Sequence, residues 1–491
     1  MLKKIAQIAS VLLASSVAST ALFALDSTVK SSMRANSRVA YHILPSQVNN
    51  FSELFSEGLF YGRARTNNFY YSNSIDKDKQ HLASGVGGSL LYKSAQLSGF
   101  DFGVGFYYSK AFFSADKHDV GMLTKGKDIL SRHDYVNTGS TSMGVLGQAY
   151  IRFTQDEIFD ITLGRQIVES FYTKSNDTKM IPNTFDGVVV NAQVIPDTKV
   201  KLAYLWAQKL RDHTQTNSLL LYGDANSTDT KFAKWSENDD SAMHRGLTYT
   251  ALKAAGKPTD APLIMGDIKN RSIHNLKADL SFYVVAKLIS QVMGELNYKI
   301  ELGNGLSITP AVRYVQQFDN GAGEVGGASF KGNVNSINAG GYKDPNSLNS
   351  AMIGARAIVR YENYRLNIAY TNVLDKADLV TPWRGFATSG YTRSMARYNW
   401  RANTKSYRVE LQRNMNKEGV FKDIYTQASV LYTDADQAKG VSDEIYYYLG
   451  FMQNIPALVN MQWRLRLGYA CYSKSQDFNA VDARAEINYM F

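Results

Sequence analysis

The 491-residue chain is poor in the residues that define several common protein classes. Its single cysteine, Cys471, can form neither an intramolecular disulfide nor a multi-cysteine metal site. Only nine prolines are present, which argues against long disordered linkers. After the N-terminal segment, no apolar run reaches the roughly 18 residues that a transmembrane helix needs. These deficits exclude a disulfide scaffold and a bundle of membrane-spanning helices.

Aromatic residues and glycine are prominent instead, with 31 Tyr, 23 Phe and 36 Gly, a composition that favours β-structure. Apolar side chains occupy every second position from Val481 to Phe491, and Asp482, Arg484 and Glu486 alternate with them. Similar alternation occurs at residues 100–109, 296–302, 407–412 and 461–469. Because successive strand residues point to opposite faces, each segment has one apolar and one polar face.

The N-terminus has the layout of a secretory signal peptide. Lysines at positions 3 and 4 precede an apolar stretch over residues 5–24 that ends in small side chains. We therefore expect a signal peptide at residues 1–24 and a single transmembrane β-barrel porin domain at residues 25–491. Cleavage would remove two lysines and no acid, which lowers the formal charge from +10 to +8. An exported chain is not expected to bind nucleic acid.

Export and alternation together favour a membrane barrel over a soluble sandwich, which shows the same alternation. The apolar faces are rich in aromatic residues near the segment ends, and the other faces carry Arg, Lys, Glu and Gln, as a water-filled lumen requires. In lipid such strands must close so that every backbone polar group is paired. We predict an all-β fold, an antiparallel transmembrane barrel of 16–18 strands. Three long polar stretches are expected as extracellular or inward-folded loops, at residues 212–271, 316–350 and 372–405.

The last strand ends in Tyr489 and Phe491 on its apolar face. A terminal aromatic residue on such a strand looks like the assembly signal of outer-membrane barrels. The predicted location is therefore the bacterial outer membrane. The predicted partners are outer-membrane lipid, lipopolysaccharide, the barrel assembly machinery and small solutes.

Residues 163–187 contain two sequence elements, LGRQ at 163–166 and NDTKMIPNTFDG at 176–187. They resemble the OprD family of outer-membrane porins, in which Gly-Arg-Gln ends a strand. In that family a loop with Asn-Asp-x-Arg, a proline and Thr-Phe-x-Gly follows. Lys179 stands where the family often has arginine, which keeps the charge but removes the bidentate donor fork. Residues 51–65 resemble the family's first strand and the short segment before it.

The resemblance implies a barrel of about 18 strands, as a monomer or a loose homotrimer, with one loop folded inward as a constriction. In the family, a ladder of Arg and Lys on the inner wall guides substrates that bear a carboxylate. The residues expected in the constriction loop are Asn176, Asp177, Lys179, Pro182 and Phe185.

The alternation and the resemblance together suggest which basic side chains line the pore. The candidates are Arg63, Arg65, Arg152, Arg165, Arg356, Arg360, Arg408, Arg464, Arg466 and Arg484. About half of them are expected to pair with carboxylates such as Glu301, Glu410 and Glu486 and merely fill the lumen. A basic segment from Arg384 to Arg401 could recruit anions or lipopolysaccharide phosphates, but we favour a solvated loop face there.

Signals for catalysis are weak. The GxGxxG match at residues 321–326 lies in a Gly/Asn-rich loop, and no following helix is expected. The histidines lack HExxH spacing and there is no GxSxG element. We therefore predict no enzyme, metal or cofactor. The predicted function is an outer-membrane channel for small hydrophilic solutes that favours anionic or carboxylate-bearing ones. The alternatives are a non-selective diffusion porin and an adhesin that acts through its loops.

Overall fold

The structure is a computed structural model. It describes residues 30–33, 39–73, 81–113, 129–131, 134–135, 138–156, 158–175, 179–220, 247, 249–327, 341–395, 397–419, 422–472 and 479–491. The expected signal peptide at residues 1–24 lies outside this range.

Eighteen antiparallel strands close into one barrel, as the alternation and the family resemblance predict. The strands are β1 Leu59–Asn73, β2 His81–Lys93, β3 Phe100–Phe113, β4 Ser142–Gln155, β5 Phe159–Gln166, β6 Thr184–Ile195, β7 Thr198–Lys209, β8 Leu263–Asn270, β9 Leu276–Val285, β10 Ile289–Tyr298 with its continuation Ile300–Gly303, β11 Leu306–Asp319, β12 Ser350–Tyr361, β13 Tyr364–Val373, β14 Thr404–Arg413, β15 Ile424–Asp434, β16 Glu444–Asn454, β17 Met461–Tyr472 and β18 Ala480–Met490.

The remaining regular elements are short. The helices are α1 Phe51–Ser56, α2 Tyr249–Ala254 and α3 Gly323–Gly326, and one 3₁₀ turn covers Gln437–Lys439. The four residues of α3 form a single helical turn inside the GxGxxG stretch. Short strands outside the main ladder are Ser31–Met33, Val39–Tyr41, Gln47–Val48 and Gln96–Leu97. Within the described part of the chain, every helix is too short to cross a membrane.

The barrel closes where β18 pairs with β1 in a register that sets Met490 opposite Arg63. Beyond the end of β18, Phe491 and Gly62 exchange two backbone hydrogen bonds, of 3.0 and 2.7 Å. The Phe491 ring covers Gly62 so closely that a Cβ there would lie 2.0 Å from it. The ring of Tyr489 stacks on that of Phe491 at 5.9 Å. Both residues therefore lie at the seam, and their role in assembly stays a prediction.

Connections differ in length between the two ends of the barrel. At one end, here called the turn end, tight connections at residues 196–197, 304–305 and 362–363 join neighbouring strands. At the other, the loop end, lie the long connections, which include residues 210–262, 320–349 and 374–403. The last two agree with the predicted loops. The predicted loop at residues 212–271 is wrong at its end, because Leu263–Asn270 is strand β8.

The two faces of each strand differ in exposure. On β15, Val430 is 44% exposed on the outer face, whereas neighbouring Ser429 is 6% exposed and faces the lumen. On β14, Val409 and Leu411 are exposed, and Arg408 and Glu410 are buried inside. An apolar outer face around a polar interior is the arrangement that a membrane barrel requires.

Replacing Val430 by Arg should lower the free energy of unfolding from a lipid bilayer by about 2–4 kcal/mol, because a charge on the lipid face is desolvated. Gln427→Arg on the same strand is the matched control, since Gln427 donates to the lumen carboxylate of Glu410. Chemical unfolding from vesicles measures both values. Equal losses would contradict the assigned faces.

Candidate functional site

The connection at residues 374–403, here called the lumen loop, folds into the barrel. Its side chains Trp383, Tyr391 and Trp400 are at most 1% exposed. The edge of Trp383 packs against Tyr283 of β9 with ring centroids 5.0 Å apart. Arg384 is 5% exposed. The interpretation of this basic segment as a solvated loop face is therefore wrong, because the aromatic residues between the arginines carry the segment into the interior.

A second inward loop meets the first. Residues 167–183, here called the constriction loop, contain Thr173, which forms an isolated antiparallel bridge with Arg384. The amide of Lys174 donates to the carbonyl of Trp383 at 3.0 Å. The two loops therefore form one backbone-paired unit inside the barrel.

Three arginines of the wall hold the tip of the lumen loop. Each comes from a different strand and donates to backbone carbonyl groups of the loop. The pairs are Arg313 Nη1 with the oxygens of Ala387 (2.8 Å) and Ser389 (2.7 Å), Arg356 Nη1 with that of Gly390 (2.7 Å), and Arg408 Nη1 with that of Tyr391 (3.3 Å).

Glu295 on β10 neutralises two of these arginines. Its carboxylate accepts from Arg313 Nε at 2.6 Å and from Arg356 Nη2 at 3.0 Å. The ring of Tyr391 lies against both guanidinium groups. Its centroid is 4.4 Å from Arg313 Cζ and 4.5 Å from Arg356 Cζ. The cation–π contacts and the shared carboxylate stabilise both guanidinium groups. Arg356 is thus a structural clamp on the loop, together with Arg313.

The lumen loop is also anchored on the far side. Arg397 donates to the Glu444 carboxylate at 2.9 Å and to the Tyr472 hydroxyl at 3.0 Å. Burial alone would lower the pKa of Arg397, but the neighbouring Glu444 carboxylate raises that pKa well above its usual value. The loop is therefore held at its tip by the wall arginines and on this flank by a charged pair.

A second cluster surrounds Glu486 on β18. Its carboxylate pairs with Arg466 of β17 and, at 3.3 Å, with Arg65 of β1. Arg484 pairs with Asp482 two residues away on its own strand, at 2.7 Å. Arg466 and Arg484 lie directly opposite each other in the ladder. Like charges in that position repel each other, and the carboxylates of Glu486 and Asp482 offset that repulsion.

Other predicted arginines extend this wall. Arg464 on β17 is 7% exposed and lies on the same face as Arg466. Glu410 pairs with Arg408 and, at 3.4 Å, with Arg365. Arg360 lies opposite Arg365 in the ladder. It forms no ion pair with any residue that the structure describes. Basic side chains therefore line the lumen on β11–β14 and again on β17, β18 and β1, with the uncharged inner face of β15 between them. These strands are here called the basic wall.

The predicted constriction residues lie inside the barrel where they are described. The backbone oxygen of Lys179 accepts from Arg65 Nη1 at 2.5 Å, and Lys179 Nζ lies 4.1 Å from the centroid of Phe69. Pro182 is buried in the constriction loop. Phe185 is also buried but lies in strand β6, so its prediction as a loop residue is wrong. Asn176 and Asp177 lie outside the described residues. Arg65 thus joins the constriction loop to the Glu486 cluster.

The remaining predicted residues are separate from this wall. Arg152 pairs with Asp101 at 2.9 Å between β3 and β4. Arg165 donates two hydrogen bonds, of 2.7 and 2.8 Å, to the carboxylate of Asp186. It is two residues from the exposed Leu163 and shares its face, so Arg165 belongs to the outer face of β5, and its prediction as a pore-lining residue is wrong.

Two more placements complete the predicted set. Arg63 is 4% exposed on the inner face of β1. Glu301, an expected lumen partner, is instead exposed at the turn end and pairs with Lys299. It therefore neutralises none of the wall arginines.

Sequence reasoning missed Arg313, Arg365 and Glu295. On β11 the inner face carries Ala311, Arg313, Val315 and Gln317, while the outer face carries Val312, Tyr314, Gln316 and Phe318. Both faces mix apolar and polar side chains, so the alternation over the whole strand is weak. The signal that could have found Arg313 is its position between two apolar outer-face residues, Val312 and Tyr314.

Comparison with known proteins supports this architecture. OccAB1 of Acinetobacter baumannii is 13% identical with a TM-score of 0.68, and the match covers 91% of this chain and 99% of that one. OpdK of Pseudomonas aeruginosa, in a structure with vanillate, is 11% identical with a TM-score of 0.63, over 89% and 99%. A BenF-like porin from Pseudomonas fluorescens is 12% identical with a TM-score of 0.64, over 89% and 99%.

No protein-family model and no curated protein sequence matches the chain. The structural neighbours are porins of the OprD family, as residues 163–187 suggested. The chain therefore has the fold of outer-membrane porins. The predicted resemblance is confirmed at the level of the fold.

Glu295→Gln should loosen the lumen loop, because the buried charges of Arg313 and Arg356 lose their shared carboxylate. Breaking such a pair costs about 3–5 kcal/mol of folding stability. Iodide quenching of the tryptophans, which include the buried Trp383 and Trp400, should rise. Glu301→Gln, in the continuation of the same strand, is the control and should leave both readouts unchanged. Unchanged quenching in Glu295→Gln would contradict the clamp.

Proposed function

We propose that the protein is an outer-membrane channel for passive diffusion of small hydrophilic solutes, with a preference for anionic or carboxylate-bearing ones. The observation that carries the proposal is the basic wall from β11 to β1. There the arginines outnumber the carboxylates of Glu295, Glu410, Asp482 and Glu486 that pair with them.

The physics of a narrow lumen favours this use of the wall. Walls of low dielectric constant concentrate the field of the excess positive charge and attract anions. Arginine keeps its charge and offers a planar donor fork that matches a carboxylate. Arg466 and Arg484 retain 12% and 14% exposure of their side chains, so they can contact a passing solute. Several weak contacts in series allow the solute to leave as well as enter.

One structural neighbour supports the chemical class of the solute. The OpdK structure was solved with vanillate, an aromatic carboxylate. A preference for carboxylates in this chain remains our proposal.

The second candidate is a diffusion porin that sorts solutes mainly by size. The pairing of Arg408 with Glu410 and of Arg484 with Asp482 favours it, because each pair cancels charge that would otherwise select anions. The two candidates share the same barrel and differ only in the net field of the lumen.

Reconstitution of the whole protein in a planar bilayer tests both the channel function and the preference for anions. The proposal predicts discrete conductance steps and, in a KCl gradient, a reversal potential that shows preference for chloride. Steps without ion preference would support the size-sorting porin. Absence of steps would overturn the channel and favour a role for the loops as an adhesin.

Arg466→Gln should lower the chloride-to-potassium permeability ratio by at least about twofold, because it removes an accessible charge from a narrow lumen. Arg165→Gln is the matched control, since it removes one charge from the outer face of the wall. Reversal potentials in identical gradients measure both. An equal change in the two variants would show that Arg466 does not act on passing ions.

A further inference from the structure

A two-stranded ribbon lies inside the barrel near the turn end. Its strands, Ser31–Met33 and Val39–Tyr41, pair antiparallel with Ser31 opposite Tyr41. The ribbon, here residues 30–33 and 39–43, belongs to neither the barrel wall nor the inward loops. Ser31 is 2% and Met33 6% exposed, so both are covered by the rest of the protein.

The ribbon is attached to the inner face of the wall at several points. Gln462 Nε2 of β17 donates to the carbonyl of Met33 at 2.9 Å. The Tyr61 hydroxyl of β1 donates to the carbonyl of Ile43 at 2.7 Å. Tyr61 alternates with Phe60, which is 56% exposed on the outer face, so this attachment is on the lumen side.

Tyr41 contacts two side chains of the wall. Its ring packs edge-on against Tyr61 with centroids 4.7 Å apart. Lys93 Nζ of β2 lies 3.6 Å from the centroid of the Tyr41 ring. The cation–π contact fixes the ribbon beside a basic side chain of the lumen.

A cavity of about 230 Å³ separates the ribbon from the constriction loop. Ser31, Val39 and Tyr41 line it from the ribbon, and Glu169 and Ser175 line it from the loop. The wall contributes polar side chains that include Arg63, Lys93, Tyr107 and Gln148. Its volume lies below the roughly 300–1,000 Å³ of pockets for drug-sized ligands. A solute that passes the constriction loop on this side therefore meets a small chamber with the ribbon as its floor.

We propose that the N-terminal ribbon is a size-selecting element of the channel, which forms the turn-end floor of this chamber and narrows the exit from it. The proposal rests on the proposed channel function. It assigns the ribbon a place on the solute path, with Tyr41 as the residue that positions it against Lys93.

Deletion of residues 30–43 from the full chain tests the proposal. Two paired strands fill a section of roughly 10 Å by 10 Å, so single-channel conductance should rise at least about twofold. Entry of raffinose relative to glucose into proteoliposomes should rise as well. Conductance and relative entry equal to those of the wild type would overturn the proposal. If the wild type itself does not conduct, the channel function fails, which is a separate result.

A milder variant keeps the test valid if the deletion does not assemble. Tyr41→Ala combined with Gln462→Ala removes two attachments and should raise conductance by a smaller factor. His42→Ala is the control, because His42 is exposed and, among the described residues, its side chain bonds only to Ser32 of the same ribbon. Equal conductance in the double variant and the control would count against the proposal.

Thiol labelling reports the position of the ribbon directly. In a Cys471→Ser background, Ser31→Cys should react at least about tenfold more slowly with a bulky maleimide than His42→Cys, because Ser31 is buried and His42 is exposed. Equal rates would show that the ribbon does not dock on the wall.

Discussion

Closure of the hydrogen-bonded ladder is the constraint on which the rest of the structure depends. In lipid an unpaired strand edge costs several kcal/mol for each backbone group. The chain meets this requirement by pairing β18 with β1 and by the two hydrogen bonds between Phe491 and Gly62. Once the ladder closes, the strand period of two sends one face to lipid and the other to the lumen. The arginine side chains on the inner faces of the described strands then share one confined space.

That confinement explains the role of the carboxylates. Glu295, Glu410 and Glu486 each contact more than one arginine and offset part of the repulsion between them. The arginines around Glu295 also hold the lumen loop, so the same charges shape the passage. Buried ion pairs are weak evidence for stability because desolvation opposes them. Their value here is positional, since they fix which guanidinium groups remain available to a solute.

The sequence predicts the fold better than the site. Alternation over residues 461–469 and 481–491 is a local signal, and the structure places Arg464, Arg466, Arg484 and Glu486 on the predicted inner face. The lumen loop could not be predicted this way, because its burial depends on wall residues such as Glu295 that are distant in the chain. For Arg165, the sequence predicts a pore-lining side chain, and the structure places it on the outer face. Arg165 follows Gly164, which has a positive φ, near the end of β5. Its partner Asp186 lies on the outer face.

The account depends on a basic wall that acts on passing solutes and does not merely fill space. Entry of gluconate and glucose into proteoliposomes of the wild-type protein tests this most directly, since the two solutes are similar in size and differ in charge. The account predicts faster entry of gluconate, with a difference that shrinks at high salt as the field is screened. Equal entry of both solutes at low salt would contradict it.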